Sequence, residues 1–166
     1  MSDTARFPVT VDVLVFAPSE NGPALLCVQR AYAPFQGCWA LPGGFVDMGE
    51  DLPQAAVREL MEETGVGVDS TELIQLGAFG APGRDPRGQT ITVAYIALLS
   101  DEPEVRAGDD AARACFWPVE GLLTGHGPIT MAFDHDDILA AAIERLNSLE
   151  LEDVEDEEPD EDGGKA

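Results

Sequence analysis

The chain has 166 residues, an ordinary length for one domain, and its 45% hydrophobic content is enough to build a core of usual size. Its formal net charge of -23, with eight Arg and one Lys against 32 acidic residues, excludes a surface that tracks nucleic-acid phosphates, which needs clustered cations. The longest apolar run, residues 90–99, is about half the roughly 20 residues of a membrane span, and residues 1–7 do not resemble a signal peptide.

Read in chain order, residues 7–16 alternate and are rich in Val, which predicts a strand ending at Ala17-Pro18. A turn cluster at 19–23 leads into a returning strand at 24–30, and 31–38 reads as a loop punctuated by Tyr32 and Phe35. Residues 51–64 form a strong helix signal, with Glu50 and Asp51 well placed at its N-terminal end and Gly65 as its stop. Strands are expected at 72–79 and 90–99, separated by a Gly/Pro/Arg loop at 80–88. A polar loop at 100–112, a short strand at 115–119 and a closing helix within 130–149 complete the domain.

From Glu150 onward ten acids and no aromatic residue follow, so 150–166 is expected to be a disordered acidic tail outside a domain of 1–149. Intermixed strands and helices predict an α/β sandwich, with helices on both faces of a mixed sheet. Cys27, Cys38 and Cys115 are odd in number and scattered, which points to buried free thiols in a reducing cytoplasm.

The chemistry concentrates in 44–66. At 100° per residue, Glu63 lies about 40° and Glu62 about -60° from Glu59 on the helix, so three carboxylates share an arc of about 100°. Pro53, Val57, Leu60 and Thr64 occupy a separate arc suited to a core. Carboxylates this close repel unless a cation lies among them, and hard oxygen ligands suit magnesium. A solvated acidic face is the alternative that the triplet by itself leaves open.

The flanks add to the triplet. Gly44, five residues, Glu50, seven residues, then Arg58-Glu59-Leu60-Met61-Glu62-Glu63-Thr64-Gly65-Val66 resembles the nudix box without a departure. Seven fixed positions, each matched by chance at roughly 6–7%, give odds on the order of one in 10⁸ per start site. The preceding Trp39-Ala40-Leu41-Pro42-Gly43-Gly44 is similar to the lead-in of that family, and the resemblance spans about 7–148.

The resemblance implies a nudix fold, an α/β/α sandwich around a mixed sheet, and a Mg²⁺ site that accepts Mn²⁺ as substitute. Glu59 and Glu63 would be the principal metal ligands, Glu62 a ligand directly or through water, and the Gly44 carbonyl a further one. Glu50 and Arg58 would brace the loop and helix. It implies hydrolysis of the diphosphate bond of a small-molecule nucleoside diphosphate derivative. Arg84 and Arg87, in Gly83-Arg84-Asp85-Pro86-Arg87-Gly88, are candidates for the substrate's phosphates, the alternative being a surface turn whose Arg residues pair with neighbouring acids. With Phe133-Asp134-His135 they resemble the ADP-ribose pyrophosphatase-type subgroup, whose reaction yields AMP and ribose 5-phosphate.

Phe35 and Trp39, with Tyr32, are candidates to stack a base, the alternative being core or loop packing. His135 is read as packing or capping. Relatives often carry an acidic base just before the strand at 115–118, but Arg113 stands there, leaving Glu102, Glu104, Asp109, Asp110, or a Glu of the box itself. A nucleoside triphosphate pyrophosphohydrolase and a non-catalytic ADP-ribose sensor are the alternative functions. Relatives of this type are often dimers, so a homodimer is expected, with neither nucleic acid nor membrane as partner.

An acidic coat almost devoid of Lys suits a protein adapted to high salt, where counterions screen self-repulsion. The melting temperature is therefore expected to climb from low to molar salt. A flat profile in a thermal-melt series would argue against such adaptation.

Overall fold

The structure is a computed structural model and describes residues 4–155. Its centre is a seven-stranded mixed sheet built from β1 (Val9–Ser19), β2 (Gly22–Arg30), β3 (Trp39–Ala40), β4 (Gly43–Phe45), β5 (Ile74–Phe79), β6 (Ile91–Leu98) and β7 (Ala111–Pro118). The helices are α1 (Leu52–Thr64), α2 (Val119–Leu123) and α3 (His135–Glu155), with a single 3-10 turn at Ser70–Glu72. This is the expected α/β architecture.

Strand order is β3-β2-β1-β6-β5, with β7 on β2 and β4 on β1. The β1–β6 pair is parallel and runs from Val9↔Ile91 to Phe16↔Leu98; the other pairs are antiparallel. The β1–β2 hairpin is paired only from Phe16↔Leu25 to its tip. Below that point β2 leaves β1, and the chain from Trp39 to Phe45 fills the fork. There β3 pairs with the end of β2 and β4 with the start of β1. This fork is where the site forms.

Alternation along β1 and β2 splits the core into two layers. Leu14, Phe16, Leu25 and Cys27 face Val119, Leu122, Ile138 and Leu139 of α2 and α3. Val11, Val13, Val15 and Leu26 face Ala55, Ala56 and Leu60 of α1. Helices thus cover both faces of the sheet, and among the described residues no helix is long and apolar enough to cross a membrane.

Several boundaries differ from the sequence reading. β1 continues through Pro18, because the hairpin closes tightly with Pro18 opposite Pro23. Strand β7 starts at Ala111, inside the expected loop, since β2 offers it a partner edge from Ala24 to Arg30. The segment before α3 is extended: the Trp39 N–H donates to the Thr130 carbonyl at 2.9 Å and the Ala132 N–H to the Trp39 carbonyl at 2.7 Å. α3 begins at His135 and is helical to Glu155, past the boundary expected at 149. Residues 156–166 of the expected disordered tail lie outside the described residues. Cys27 is buried, whereas Cys38 and Cys115 are partly exposed, and all three thiols are free.

Leu60 is fully buried where α1 meets the sheet. Leu60→Ala should cost about 2–5 kcal/mol of folding stability, the usual range for a buried leucine truncation, measured by urea denaturation at fixed salt.

Candidate active site

The helix signal resolves into local chemistry at both ends of α1. Asp51 caps it, extended in backbone, with its side chain accepting from the Leu52 N–H, and Pro53 occupies the first turn where no donor is needed. Gly65 stops it in the left-handed conformation (φ 73°), which a β-carbon would disfavour, and its N–H bonds the Met61 carbonyl.

The buried face differs from the expected one. Ala55, Ala56, Leu60 and Thr64 are buried, while Pro53 and Val57 are half-buried. The reason is β4, which lies along the Ala55, Glu59, Glu63 ridge at four-residue spacing. A β-carbon on Gly44 would fall 2.5 Å from the Glu59 carboxyl, and one on Gly43 would collide with the Val11 carbonyl oxygen. The bare backbone of Gly43-Gly44 therefore packs directly on two carboxylates. Gly43 N–H donates to Oε2 of Glu63 at 3.0 Å. Glu59 and Glu63 turn toward the protein rather than lying on a solvated face; Glu62, 59% exposed, does not.

Burial raises the affinity of both inward carboxyls for a proton. It pushes Glu63 up to about 8, opposed by the Gly43 N–H and reinforced by Glu59 and Asp12. Glu59 is also raised, by burial first, with Arg58 opposing. Arg58 sits across the start of this cluster. Its Nε and Nη2 donate to the two oxygens of Glu50 at 2.7 and 2.8 Å, Nη2 also donates to the Phe45 carbonyl at 3.0 Å, and Nη1 donates to Glu59 at 2.7 Å. The bidentate bond to Arg58 holds the Glu50 carboxyl down at about 2. Glu50 and Arg58 thus tie the loop after β4 to α1.

Glu63 edges a cleft of about 220 Å³ lined by β1, the end of β2, β4, the loop after β5 and the turn before α3, and Glu59 packs against Gly44 of its β4 wall. Arg84 and Arg87 both line it, but neither is an open cation. Arg84, 4% exposed, donates twice to Asp134 at 2.9 and 2.7 Å, and Arg87 is held bidentately by Asp85. Arg84 is corrected from phosphate ligand to a tie between this loop and α3. Removing Asp134 would leave a buried charge unpaired at a cost of about 3–5 kcal/mol.

The cleft cation that the sequence reading missed is Arg30, at the end of β2. Its Nε donates to the Pro34 carbonyl at 2.7 Å and its guanidinium lies 4.9 Å from the Phe133 ring centroid. Among the described residues no acid forms an ion pair with it. The sequence signal was present: Arg30 is one of only eight Arg, at the mouth of the loop leading to the box.

Trp39 is also corrected. It is buried in the core, edge-on to Trp117 at 5.2 Å, because β3 carries it under α2 and α3. Phe35 does not line the cleft and packs on Phe133 at 4.8 Å; the cleft aromatics are Tyr32, Phe45 and Phe133. Arg113 points toward Trp39, its guanidinium 5.7 Å from the ring. Of the four loop acids considered, Asp110 lines the cleft and Glu102, Glu104 and Asp109 do not. Among the described residues no three carboxyl, imidazole or thiol groups converge into a ready-made metal cage. Two inward carboxylates and the more exposed Glu62 fit a hard cation that keeps waters of its own.

Because Glu63 binds its proton more tightly folded than unfolded, its contribution is fully present below about 4.5 and lost as pH rises toward 8. In EDTA, the stability of the natural protein relative to Glu63→Gln should therefore fall across that window. Parallel melting curves for the two proteins would expose a pH-independent difference if burial of Glu63 had no such effect.

The NUDIX domain family model matches residues 6–142. An ADP-ribose pyrophosphatase of Methanocaldococcus jannaschii is 40% identical over 79% of this chain and 70% of its own length. The ADPR responsive transcriptional repressor NtrR of Acinetobacter baylyi is 37% identical over 84% of this chain, which spans 54% of that protein. The NUDIX domain of Shewanella oneidensis NrtR, solved with ADP ribose, superposes with a TM-score of 0.76 at 34% identity, covering 86% of this chain and 90% of that one. With the box complete and its Glu63 at a cleft, the chain belongs to the NUDIX family, as a hydrolase of the pyrophosphatase type.

Proposed function

We propose that the chain hydrolyses the diphosphate bond of a nucleoside diphosphate derivative in a magnesium-dependent reaction, with ADP-ribose as substrate and AMP and ribose 5-phosphate as products. The observation that carries this reading is one cleft lined by the desolvated Glu63 and by a cation without an ion-pair partner among the described residues, with Glu59 packed against its Gly44 wall. Glu59 and Glu63 would hold the metal, with Glu62 directly or through water and the Gly44 carbonyl completing the protein's share. Bound there, a divalent cation neutralises the diphosphate and lowers the pKa of a coordinated water.

The chain's own residues do the rest. Arg58 shares its charge between Glu50 and Glu59, keeping the helix ligands oriented before substrate arrives. Arg30 receives the negative charge of the diphosphate, while Phe45 and Tyr32, both well exposed, offer apolar faces to the nucleoside. Asp110, at the cleft and without a side-chain partner among the described residues, takes the proton from the attacking water. Asp12 and Asp85 are less available, engaged by Thr92 and Arg87.

The second reading is an ADP-ribose-responsive regulator, favoured by the likeness to the repressor and to the ADP-ribose-bound domain. A nucleoside triphosphate pyrophosphohydrolase differs in substrate alone. A coupled-phosphatase panel of ADP-ribose, dATP, NADH and diadenosine polyphosphates separates the three. ADP-ribose turnover should lead the panel, whereas tight binding with no turnover would favour the regulator. Glu63→Gln should lower kcat by several orders of magnitude, and Asp110→Asn by about 10²–10⁴-fold. Arg30→Gln should raise KM more than it lowers kcat; an unchanged KM would remove Arg30 from the substrate site.

A further inference from the structure

Three consecutive residues lead into the carboxylates, and each backbone is tied to a different element. The Leu41 N–H donates to Nδ1 of His135 at 2.9 Å, the Pro42 carbonyl accepts from the Val13 N–H at 2.8 Å, and the Gly43 N–H donates to Glu63. The first tie is unusual, because a side chain replaces a strand-to-strand bond across 94 positions of sequence. Leu41 and Pro42 are buried, so water cannot take over if it is lost.

The ring making this bond is itself held. His135 is buried, and its Nε2 faces Oδ1 of Asp12 at 3.5 Å while the Thr92 hydroxyl donates to Oδ2 of the same carboxylate. An imidazole whose Nδ1 accepts must carry its proton on Nε2, which is the nitrogen turned toward Asp12. Burial lowers the pKa of His135 and favours that neutral form. The two glycines that follow cannot be braced by side chains of their own, since a β-carbon on either meets Asp12, Val11 or Glu59. Their position depends on the backbone bonds just upstream.

We propose that His135, oriented by Asp12, is a positioning residue for the cation site. By fixing the Leu41 amide it sets where the Gly43 amide meets Glu63 and how Gly44 lies against Glu59. This rests on reading Glu59 and Glu63 as divalent-cation ligands. Packing alone would need only the volume of the ring, whereas positioning needs its acceptor nitrogen. His135→Leu keeps most of the volume and His135→Asn keeps an acceptor, so the two variants separate the roles.

The experiment uses the full chain stripped with EDTA and titrated with MnCl₂ by calorimetry, together with amide hydrogen exchange by NMR before Mn²⁺ is added. His135→Leu should weaken Mn²⁺ binding about 10–100-fold, the usual effect of losing a group that orients metal ligands, and His135→Asn should recover most of it. Wild-type affinity in a folded His135→Leu overturns the proposal. If that variant does not fold, His135→Asn decides: Gly43 exchange and Mn²⁺ affinity should follow Leu41 exchange, unchanged where the Leu41 bond is kept and altered where it is lost, and either one departing from Leu41 overturns the proposal. Were the natural protein to bind no Mn²⁺, the cation reading would fall, and the exchange arm would still decide whether His135 controls Gly43.

Discussion

The site depends on one close approach: the backbone of Gly43 and Gly44 lying against the carboxylates of Glu59 and Glu63. A side chain on Gly44 would drive β4 off the Glu59 carboxyl, and one on Gly43 would drive it off β1 at Val11 and Asp12. With the chain bare, the acids are desolvated and receive one N–H and one arginine between them. That leaves Glu63 holding its proton to about pH 8 and Glu59 raised in the same direction. Desolvated carboxylates set side by side form a site that gains by taking up a cation. The same approach explains why Ala55, rather than Pro53 or Val57, is buried, since only a small residue admits a strand along that ridge.

The strongly acidic composition makes every cation in the cleft informative. Arg58 braces, Arg84 ties the loop after β5 to the start of α3, and Arg87 is held within its own loop by Asp85. Arg30 is left facing Phe133, without a carboxylate among the described residues. A bidentate acid neutralises an arginine for structural use, and its absence leaves the charge for a ligand.

The turn before α3 gathers these parts. Phe133 and Phe35 both adopt left-handed backbone conformations, φ 54° and 58°, at a cost of order 1–3 kcal/mol each, and they pack on one another. The surroundings fix Phe133 from several sides: Arg30 over its ring, Asp134 bound to Arg84, and His135 bound to Leu41. One short segment thereby connects Arg30 and the loop after β5 to the loop that meets Glu59 and Glu63.

The sequence by itself determined what local spacing controls. The caps of α1, the shared arc of Glu59, Glu62 and Glu63, the pairing of Glu50 with Arg58 and the alternating strands follow from periodicities of a few residues, and the box motif concentrates them in one stretch. Tertiary structure decided whatever depends on partners distant in sequence. Arg84 had no visible partner until Asp134, fifty positions away, engaged it, whereas Arg87 pairs with Asp85 inside its own turn, the alternative that the sequence leaves open. Trp39 stood open between stacking and packing until the fork between β1 and β2 carried it into the core, and α3 started late because the residues before it bond to Trp39. Arg30 and His135 gained their roles in the same way. A charged or aromatic side chain carries no local mark of its partner, because the burial and pairing that fix its role arise only when the chain folds.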